Sequence, residues 1–364
     1  MPALMIPTEP IGSIPRPPEL IAAIRGGAAD RALAPLLEAA VRATVRDFEA
    51  TGAPVISDGE QGKLENFWSY PVRGAANTAP DGFRIPVQSG AGPTSHRMPR
   101  LTHGPFRYQC YADQYLRAAR RHATRPVKQA IIAPSALSLL YPPDGLAGYT
   151  REQFIDDLVR EHETEIRRCL EAGAHKVQID FAEGPLAMRL DPSGALLASF
   201  VHLNNMALAR FSAAERALIG LHVSAAGVRP PGSGAGAQET EVDYADLLPA
   251  LFEIRAGSFY IAMAGQPDPE RVLRIARDYA RPDQRVFVGV VDPFDTRVES
   301  AAQVRDRVLL AARYLDLRRL GTTDDAGFAP FFDDDSISRA SAFAKVRARV
   351  EGTRLASALL EGAA

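Results

Sequence analysis

The sequence is poor in several features that would narrow the class of protein. It has two cysteines among 364 residues, Cys110 and Cys169, and they are far apart in the chain. A disulfide framework and a CxxC metal site are therefore not expected. No apolar run is long enough to span a membrane, and residues 1–17 show no charged-then-apolar signal pattern. We therefore expect a cytoplasmic protein.

An excess of either charge is also lacking. Lysine and arginine number 42, aspartate and glutamate 44, and no basic block or stripe stands out. This balance argues against nucleic acid or a membrane surface as a partner. The apolar content of 46% is typical of a globular protein with a large core. A small-molecule substrate is the expected partner, and a homo-oligomer is left open.

Short aliphatic runs alternate with longer amphipathic segments along the chain. The predicted strands are a run leading into Ile11, then Pro54–Ser57, Val127–Ala133, Lys176–Asp180, Ile219–His222, Phe259–Ala262, Val286–Val291 and Arg319–Thr323. The predicted helices are Leu33–Thr51, Arg151–Ala172, Asp243–Ile254, Asp268–Tyr279, Ala301–Tyr314 and Ser338–Leu360. Strand followed by helix, repeated in this way, predicts a single α/β domain over residues 1–364, a TIM (βα)8 barrel. A doubly wound sheet would require a glycine-rich turn after the first strand, which is absent.

Two segments interrupt the alternation. Gly62–Gly104, rich in Gly, Pro and Ser, follows the second strand and is predicted to cross the barrel mouth, with room for a short hairpin. Trp68 and Tyr70 within it would either cover a ligand or anchor the segment. Ala225–Thr240, rich in Gly and Pro, follows the fifth strand and is predicted to be a loop.

Polar residues follow most of the predicted strands. They are Gly12, Ser13, Asp58, Glu60, Ser135, Asp180, Glu183, His222, Ser224, Asp292 and Asp325. Catalytic groups of TIM barrels lie at the carboxyl ends of the strands, so these side chains predict an active site there. Simpler interpretations stay open: Asp58 and Asp292 as turn residues, and His222 as a hydrogen-bonded structural histidine. The other six histidines are expected in loops or on helix surfaces, without a role.

Several strings resemble one family. They are IGSIPRP at 11–17, SDGEQ at 57–61, KVQIDFAEG at 176–184, HVS at 222–224, LGTTDDAGFAPF at 320–331 and FAKVRARVEGTRLA at 343–356. Together, in this order, they resemble the catalytic domain of cobalamin-independent methionine synthase, in a single-barrel bacterial branch. The resemblance covers nearly the whole chain and implies a TIM barrel.

The family transfers an alkyl group to a thiol that a zinc ion activates. The resemblance implies that Gly12 and Ser13 meet the carboxylate of an amino-acid substrate. It also implies that Glu60 and Asp180 meet the substrate ammonium, where two charge-assisted hydrogen bonds make physical sense.

The chain departs from the family at the zinc ligands. His222 matches the family histidine, but Ser224 and Ala326 stand where the family has cysteines. Ala262 or a neighbour stands at the position of a family acid, and Phe294 at that of a histidine. Loss of two thiolates removes most of the soft ligand set, so the metal is expected to be none. A zinc ion on a harder set of His222, Asp180 and Asp325 is left open.

Four functions are open at this stage. The first is an enzyme of altered chemistry, by alkyl or methyl transfer, addition or elimination, on a small amino- or carboxylate-bearing substrate. The predicted catalytic residues are His222, Asp180 and Glu60, and the predicted substrate-binding residues are Gly12, Ser13, Glu60, Ser135, Asp180, Glu183 and Asp325. The second is a methyltetrahydrofolate–homocysteine methyltransferase with a rebuilt zinc site. The others are a cofactor-free lyase or decarboxylase with Arg16 and Arg73 as carboxylate holders, and a non-catalytic ligand-binding barrel.

Overall fold

The structure is a computed structural model that describes residues 5–64, 66–89, 92–223 and 243–362. The strands are β1 (Thr78–Ala79), β2 (Arg84–Ser89), β3 (Gly92–Arg97), β4 (Arg100–Leu101), β5 (Gln129–Ile132), β6 (Val177–Phe181), β7 (Ile219–Val223), β8 (Ser258–Ile261), β9 (Arg285–Val291) and β10 (Leu320–Asp324). The helices are α1 (Pro18–Arg25), α2 (Asp30–Glu49), α3 (Asp113–Arg120), α4 (Pro134–Leu137), α5 (Arg151–Glu171), α6 (Gly184–Leu190), α7 (Ala195–Leu208), α8 (Ala213–Arg216), α9 (Tyr244–Leu251), α10 (Pro269–Tyr279), α11 (Ala301–Ala312) and α12 (Arg339–Gly362).

A parallel sheet of six strands forms the centre of the fold. Its order is β10–β9–β8–β7–β6–β5, so each strand lies beside the next one along the chain. Residues on these strands are buried almost throughout, as expected for parallel strands covered by helices. The register pairs Asp180 of β6 with His222 of β7, and Ile132 of β5 with Asp180. Two predicted site residues are thereby brought side by side.

The first two predicted strands are much shorter than the sequence suggested. The run before Ile11 makes a single parallel bridge, Thr8 with Thr322, and Pro54–Ser57 makes another, Ile56 with Val127. Prolines limit both, because Pro7, Pro10 and Pro54 have no N–H to extend a ladder.

The two short segments nevertheless occupy the remaining positions around the sheet. The Ile14 amide donates to the Gly59 carbonyl at 3.1 Å, and the Ser57 hydroxyl to the Gly12 carbonyl at 2.9 Å. With these contacts, eight segments give the TIM (βα)8-type fold that the alternation predicts.

The six predicted helices are present as α2, α5 and α9–α12, with ends shifted by up to three residues. Thr150 caps α5 in a capping box with Gln153. The helices α1, α3, α4, α6, α7 and α8 were not predicted, and α7 is the longest of them. Half-buried Leu196 and Met206 add apolar side chains outside its buried face and obscure the helical period.

His162 is the main error in the predicted burial. It was expected on a surface, but it is fully buried in α5 and its ring nitrogens have no hydrogen-bond partner among the described residues. The helix packs against α3, α4, α7 and β6, so its buried face is wider than a single stripe. Burial lowers the pKa of His162 to about 3, and the ring is therefore neutral. Cys169, on the same helix, is a packing residue as predicted.

Gly62–Gly104 contains the predicted hairpin. β2 and β3 pair antiparallel, as do β1 and β4. Trp68 and Tyr70 are both buried and anchor the segment: the Trp68 ring meets Phe331 edge-on, and the Tyr70 hydroxyl donates to Glu165 at 2.8 Å. Ala225–Thr240 lies outside the described residues. No helix of the described ranges is long and apolar enough to cross a membrane.

A buried polar cluster lies towards the amino ends of the strands. It consists of Glu9, Lys128, Lys176 and Tyr260, called here the base cluster. Glu9 accepts from Lys176 at 2.9 Å and from the Tyr260 hydroxyl at 2.5 Å, and Lys128 lies 3.7 Å from it. Lys128 also lies 3.8 Å above the Tyr260 ring. Burial alone would raise the pKa of Glu9, but a contact with His175 and the two lysines hold it well below its ordinary value.

Candidate functional site

Asp180 and His222 form a buried pair at the carboxyl ends of β6 and β7. His222 Nδ1 lies 3.1 Å from Asp180 Oδ1, and the Gln178 side chain donates to the same oxygen at 2.7 Å. Asp180 Oδ2 receives no hydrogen bond from a described residue. His222 Nε2 is also buried without a described partner. Among the described residues, one carboxylate oxygen and one imidazole nitrogen of the pair thus have no hydrogen-bond partner.

Glu60 is held in a strained backbone conformation. Its φ of 55° is left-handed, and it is the one such non-glycine residue in the described ranges. The Glu60 amide donates to Asp58 at 3.0 Å, while the Glu60 carbonyl accepts from Arg16 at 2.7 Å and from the Lys63 amide at 3.1 Å. Strain of about 1–3 kcal/mol persists only when surrounding contacts enforce it, and it clusters at functional sites.

The Glu60 side chain belongs to a buried charged group, called here the mouth cluster: Asp58, Glu60, Lys63 and Asp180. Lys63 Nζ is fully buried, 3.5 Å from Glu60 Oε2, and has no hydrogen-bond partner among the described residues. Burial raises the pKa of Glu60 to about 7, against the opposing charge of Lys63 and with repulsion from Asp180 and Asp58. Lys63 was not identified in the sequence analysis, because it follows no strand and has no distinctive spacing.

Ser135 and Glu183 meet beside this cluster. The Ser135 hydroxyl donates to Glu183 Oε1 and accepts from the Asn204 side-chain Nδ2 at 2.7 Å. Burial raises the pKa of Glu183 to about 7, and the negative charge of Asp180 adds to the rise. Asn204, on α7, is a contact that the sequence analysis missed; a buried polar residue in an otherwise apolar helix was its only signal.

Gly12 and Ser13 lie next to the mouth cluster, as the motifs suggested. A Cβ on Gly12 would come 3.1 Å from Glu60 Oε1, so glycine permits this close approach. The Ser13 hydroxyl accepts from the Ala329 amide at 3.1 Å. A Cβ on Gly327 would come 2.1 Å from that hydroxyl, so the loop after β10 requires glycine there.

Asp325 holds a neighbouring loop. Its Oδ1 accepts from the amides of Met263 and Ala264 at 2.8 and 3.0 Å, and its Oδ2 from the amide of Gly265 at 2.6 Å. Burial raises its pKa to about 7, with repulsion from Asp292. Its oxygens thus support the turn after β8, and a role in substrate binding stays a prediction.

The two arginines considered as carboxylate holders have other partners. Arg16 is buried and donates to the carbonyls of Phe331, Glu60 and Lys63 at 2.6–3.0 Å. Arg73 pairs with Asp30 at the start of α2, 2.9 Å apart, with both side chains exposed. Arg16 therefore stabilises the turn that carries Glu60. The partners of Arg16 and Arg73 do not support the prediction that these arginines hold a substrate carboxylate.

The described residues at the positions of the family's zinc ligands do not fit a zinc ion. His222 Nε2 has no described hydrogen-bond partner and could coordinate a metal. Ala326 has no side chain that can do so, and both Asp325 oxygens accept hydrogen bonds from backbone amides. Ser224 lies outside the described residues. Within the part of the chain that the structure describes, no three His, Cys, Asp or Glu side chains are grouped for a metal. We therefore derive no chemical step through zinc.

Comparisons with known proteins support the fold. The sequence matches no family model and no curated protein. A B12-independent methionine synthase from Shewanella sp. W3-18-1, solved with selenomethionine, has a TM-score of 0.73 at 17% identity over 98% of this chain and 99% of that one. A putative vitamin-B12-independent methionine synthase from Listeria monocytogenes has a TM-score of 0.65 at 18% identity, with 95% and 96% covered.

A methyltransferase from Methanosarcina mazei is also similar, with a TM-score of 0.55 at 14% identity and coverage of 97% and 95%. At these identities the likeness is one of fold. The protein thus has the barrel of methionine-synthase-like and methyltransferase structures along nearly its whole length.

Proposed function

We propose that the protein is a methyltransferase-related enzyme with altered chemistry that acts on a small amino-acid-like substrate. The reaction is an alkyl transfer, an addition or an elimination that requires a proton to be moved. The observation that carries this proposal is the buried Asp180–His222 pair beside the strained Glu60. A stability role alone does not account for a left-handed glutamate next to an aspartate and a histidine with unfilled hydrogen-bonding positions.

The arrangement suggests a role for each group. The substrate ammonium lies between Glu60 and Asp180 Oδ2, where two charge-assisted bonds each contribute about 1.5–3 kcal/mol. Gly12 and Ser13, adjacent to Glu60, take the substrate carboxylate. His222 Nε2 accepts or supplies the proton, while Asp180 orients the ring through Nδ1. The selenomethionine bound by the Shewanella protein supports an amino acid as ligand.

The first test is binding. We expect L-methionine to bind the purified protein in calorimetric titrations, and 4-(methylthio)butanoate, which lacks the amino group, to bind more weakly. Asp180→Asn should lower the affinity for L-methionine about 10- to 100-fold, because it removes one charge-assisted bond. Asp316→Asn, at an exposed aspartate paired with Arg318 on the surface, is the matched control and should bind normally. Equal binding of both probes would refute an amine site.

Turnover separates an enzyme from a binding barrel. Mass spectrometry of reactions with homocysteine and methyl donors, and of candidate amino acids incubated alone, would detect alkyl transfer or elimination. We expect His222→Gln to retain L-methionine affinity and to lose turnover by about 10²–10⁴-fold. Tight binding without turnover of any probe would instead indicate a non-catalytic ligand-binding barrel.

A further inference from the structure

Lys63 is an unusual component of the mouth cluster. Its side chain is fully buried, and its Nζ makes one ion pair, 3.5 Å from Glu60 Oε2, without a hydrogen bond to any described residue. The Tyr70 ring, 5.1 Å away, is the aromatic group that it faces. A buried ammonium is costly unless negative charge surrounds it. Lys63 is therefore held by the electrostatic field of several carboxylates rather than by directed bonds.

The charges that act on Lys63 and Glu60 come from four parts of the chain. The groups acting on Glu60 are Lys63, Asp180, Asp58 and Arg16, and those acting on Lys63 also include Glu165 of α5. Glu165 is bonded to the Tyr70 hydroxyl and the Ala112 amide, and its pKa is raised by burial to about 7. His222 contacts Asp180 from β7.

The groups around Glu60 and Lys63 carry an excess of carboxyl groups over cations. Three carboxylates, on Asp58, Glu60 and Asp180, face two cations, Lys63 and Arg16, and Glu165 adds a fourth carboxyl group that acts on Lys63. An added ammonium would reduce this excess of negative charge. Without Lys63, three buried carboxylates would face one guanidinium, which donates to the Glu60 backbone carbonyl and to no carboxylate of this set, and a carboxylate in that position takes up a proton rather than remain charged. A protonated Glu60 would be a weak partner for a substrate ammonium.

We propose that Lys63 is a positioning residue of the amine site, whose buried ammonium favours the charged form of Glu60 while the site is empty so that a substrate ammonium meets two carboxylates. This inference rests on the proposed function for the identity of the ligand. In this proposal the Lys63 ammonium lies beside the proposed amine site, 3.5 Å from Glu60, and does not occupy the position of the substrate ammonium.

The ligand-free test compares Lys63→Met with Lys63→Arg. We would follow the Glu60 carboxyl by carbon-detected NMR of protein labelled at glutamate side chains, with Glu60→Gln to assign its signal. In Lys63→Met the Glu60 titration midpoint should move upward by about one pH unit or more, and Lys63→Arg should restore it. An unchanged midpoint in folded Lys63→Met would overturn the proposal.

A wild-type measurement covers the case in which Lys63→Met does not fold. Nitrogen NMR of labelled lysine reports whether Lys63 Nζ is charged at neutral pH. A charged Lys63 up to at least pH 9 supports the proposal, because its pKa is raised by the carboxylates in spite of burial. A Lys63 that loses its proton below pH 9 would overturn it.

Binding then separates this inference from the proposed function. At pH 7 the affinity of Lys63→Met for L-methionine should fall about tenfold and recover as the pH is raised to 9, whereas 4-(methylthio)butanoate should bind as it does to the wild type. A shifted Glu60 titration in a protein that binds no amino acid would support the effect of Lys63 while refuting the proposed function. A uniform loss of affinity at every pH would show a merely structural role and overturn the proposal.

Discussion

Two buried charged groups of this barrel, the base cluster and the mouth cluster, have opposite electrostatic properties. In the base cluster one carboxylate, Glu9, faces Lys128 and Lys176 within 4 Å, and its pKa is held well below the ordinary value. In the mouth cluster several carboxylates share Lys63, and burial raises the pKa of Glu60 to about 7. Both groups are almost completely buried, so the difference comes from the ratio of positive to negative charges and not from depth.

The base cluster fits a structural role, whereas the mouth cluster fits the proposed site. Both Glu9 oxygens accept hydrogen bonds, from Lys176 and from the Tyr260 hydroxyl, so Glu9 has little capacity left for a ligand. Glu60 faces two other carboxylates beside Lys63 and Arg16, so a positive ligand would stabilise its charged form. Active sites often hold charged groups in environments that disfavour their charged form, and carboxyl groups with perturbed pKa values are therefore typical of such sites.

The largest expected effect is at the base cluster. Glu9→Gln keeps the shape of the side chain but leaves Lys128 and Lys176 without their carboxylate. We expect the free energy of unfolding in urea to fall by about 3–5 kcal/mol at pH 7. The same change at Glu60 is the matched comparison and should cost far less. Equal losses at the two positions would show that the clusters do not differ as described.

The pH dependence of stability gives the next largest effect. A carboxyl group whose pKa is raised on folding contributes stability at low pH, and this contribution is lost as the pH rises from its ordinary value of 4.5 through about 7. Glu60→Gln removes this dependence. Relative to the wild type, the variant should therefore gain about 2–3 kcal/mol between pH 5 and pH 8 in urea unfolding experiments. No relative gain, or a relative loss, would mean that Glu60 is ionised at all these pH values.

The smallest effect concerns the hydrogen bonds beside the mouth cluster. Ser135→Ala leaves Glu183 and Asn204 without the hydroxyl that joins them, and should cost about 1–3 kcal/mol of unfolding free energy. Ser199→Ala, at an exposed serine of α7, is the control and should stay within about 0.5 kcal/mol of the wild type. A Ser135→Ala variant as stable as the control would indicate that water replaces the hydroxyl.

The contacts of the proposed site were predictable where its residues follow strands. Asp180 and His222 end two apolar runs, and parallel strands bring their carboxyl ends to one edge, so their contact was predictable. Glu60 was predicted from its turn, although its left-handed backbone was not. Asn204 was missed because it meets Ser135 across 69 residues of the chain. Lys63 was missed because it follows no strand, and the sequence does not show that its ammonium is buried beside Glu60.

The sequence by itself determined the alternation of strand and helix, and with it the barrel. Those signals are local, since hydrophobic periods and capping residues act within a few residues of the chain. Only the tertiary structure decided which charges are compensated. Lys176 and Glu9 are 167 residues apart in the chain and form a hydrogen bond. The Lys63 ammonium is buried beside Glu60, three residues away, and the charge of Asp180 on β6 also acts on it. Electrostatic energy depends on distance in space and on burial, and neither can be measured along a sequence.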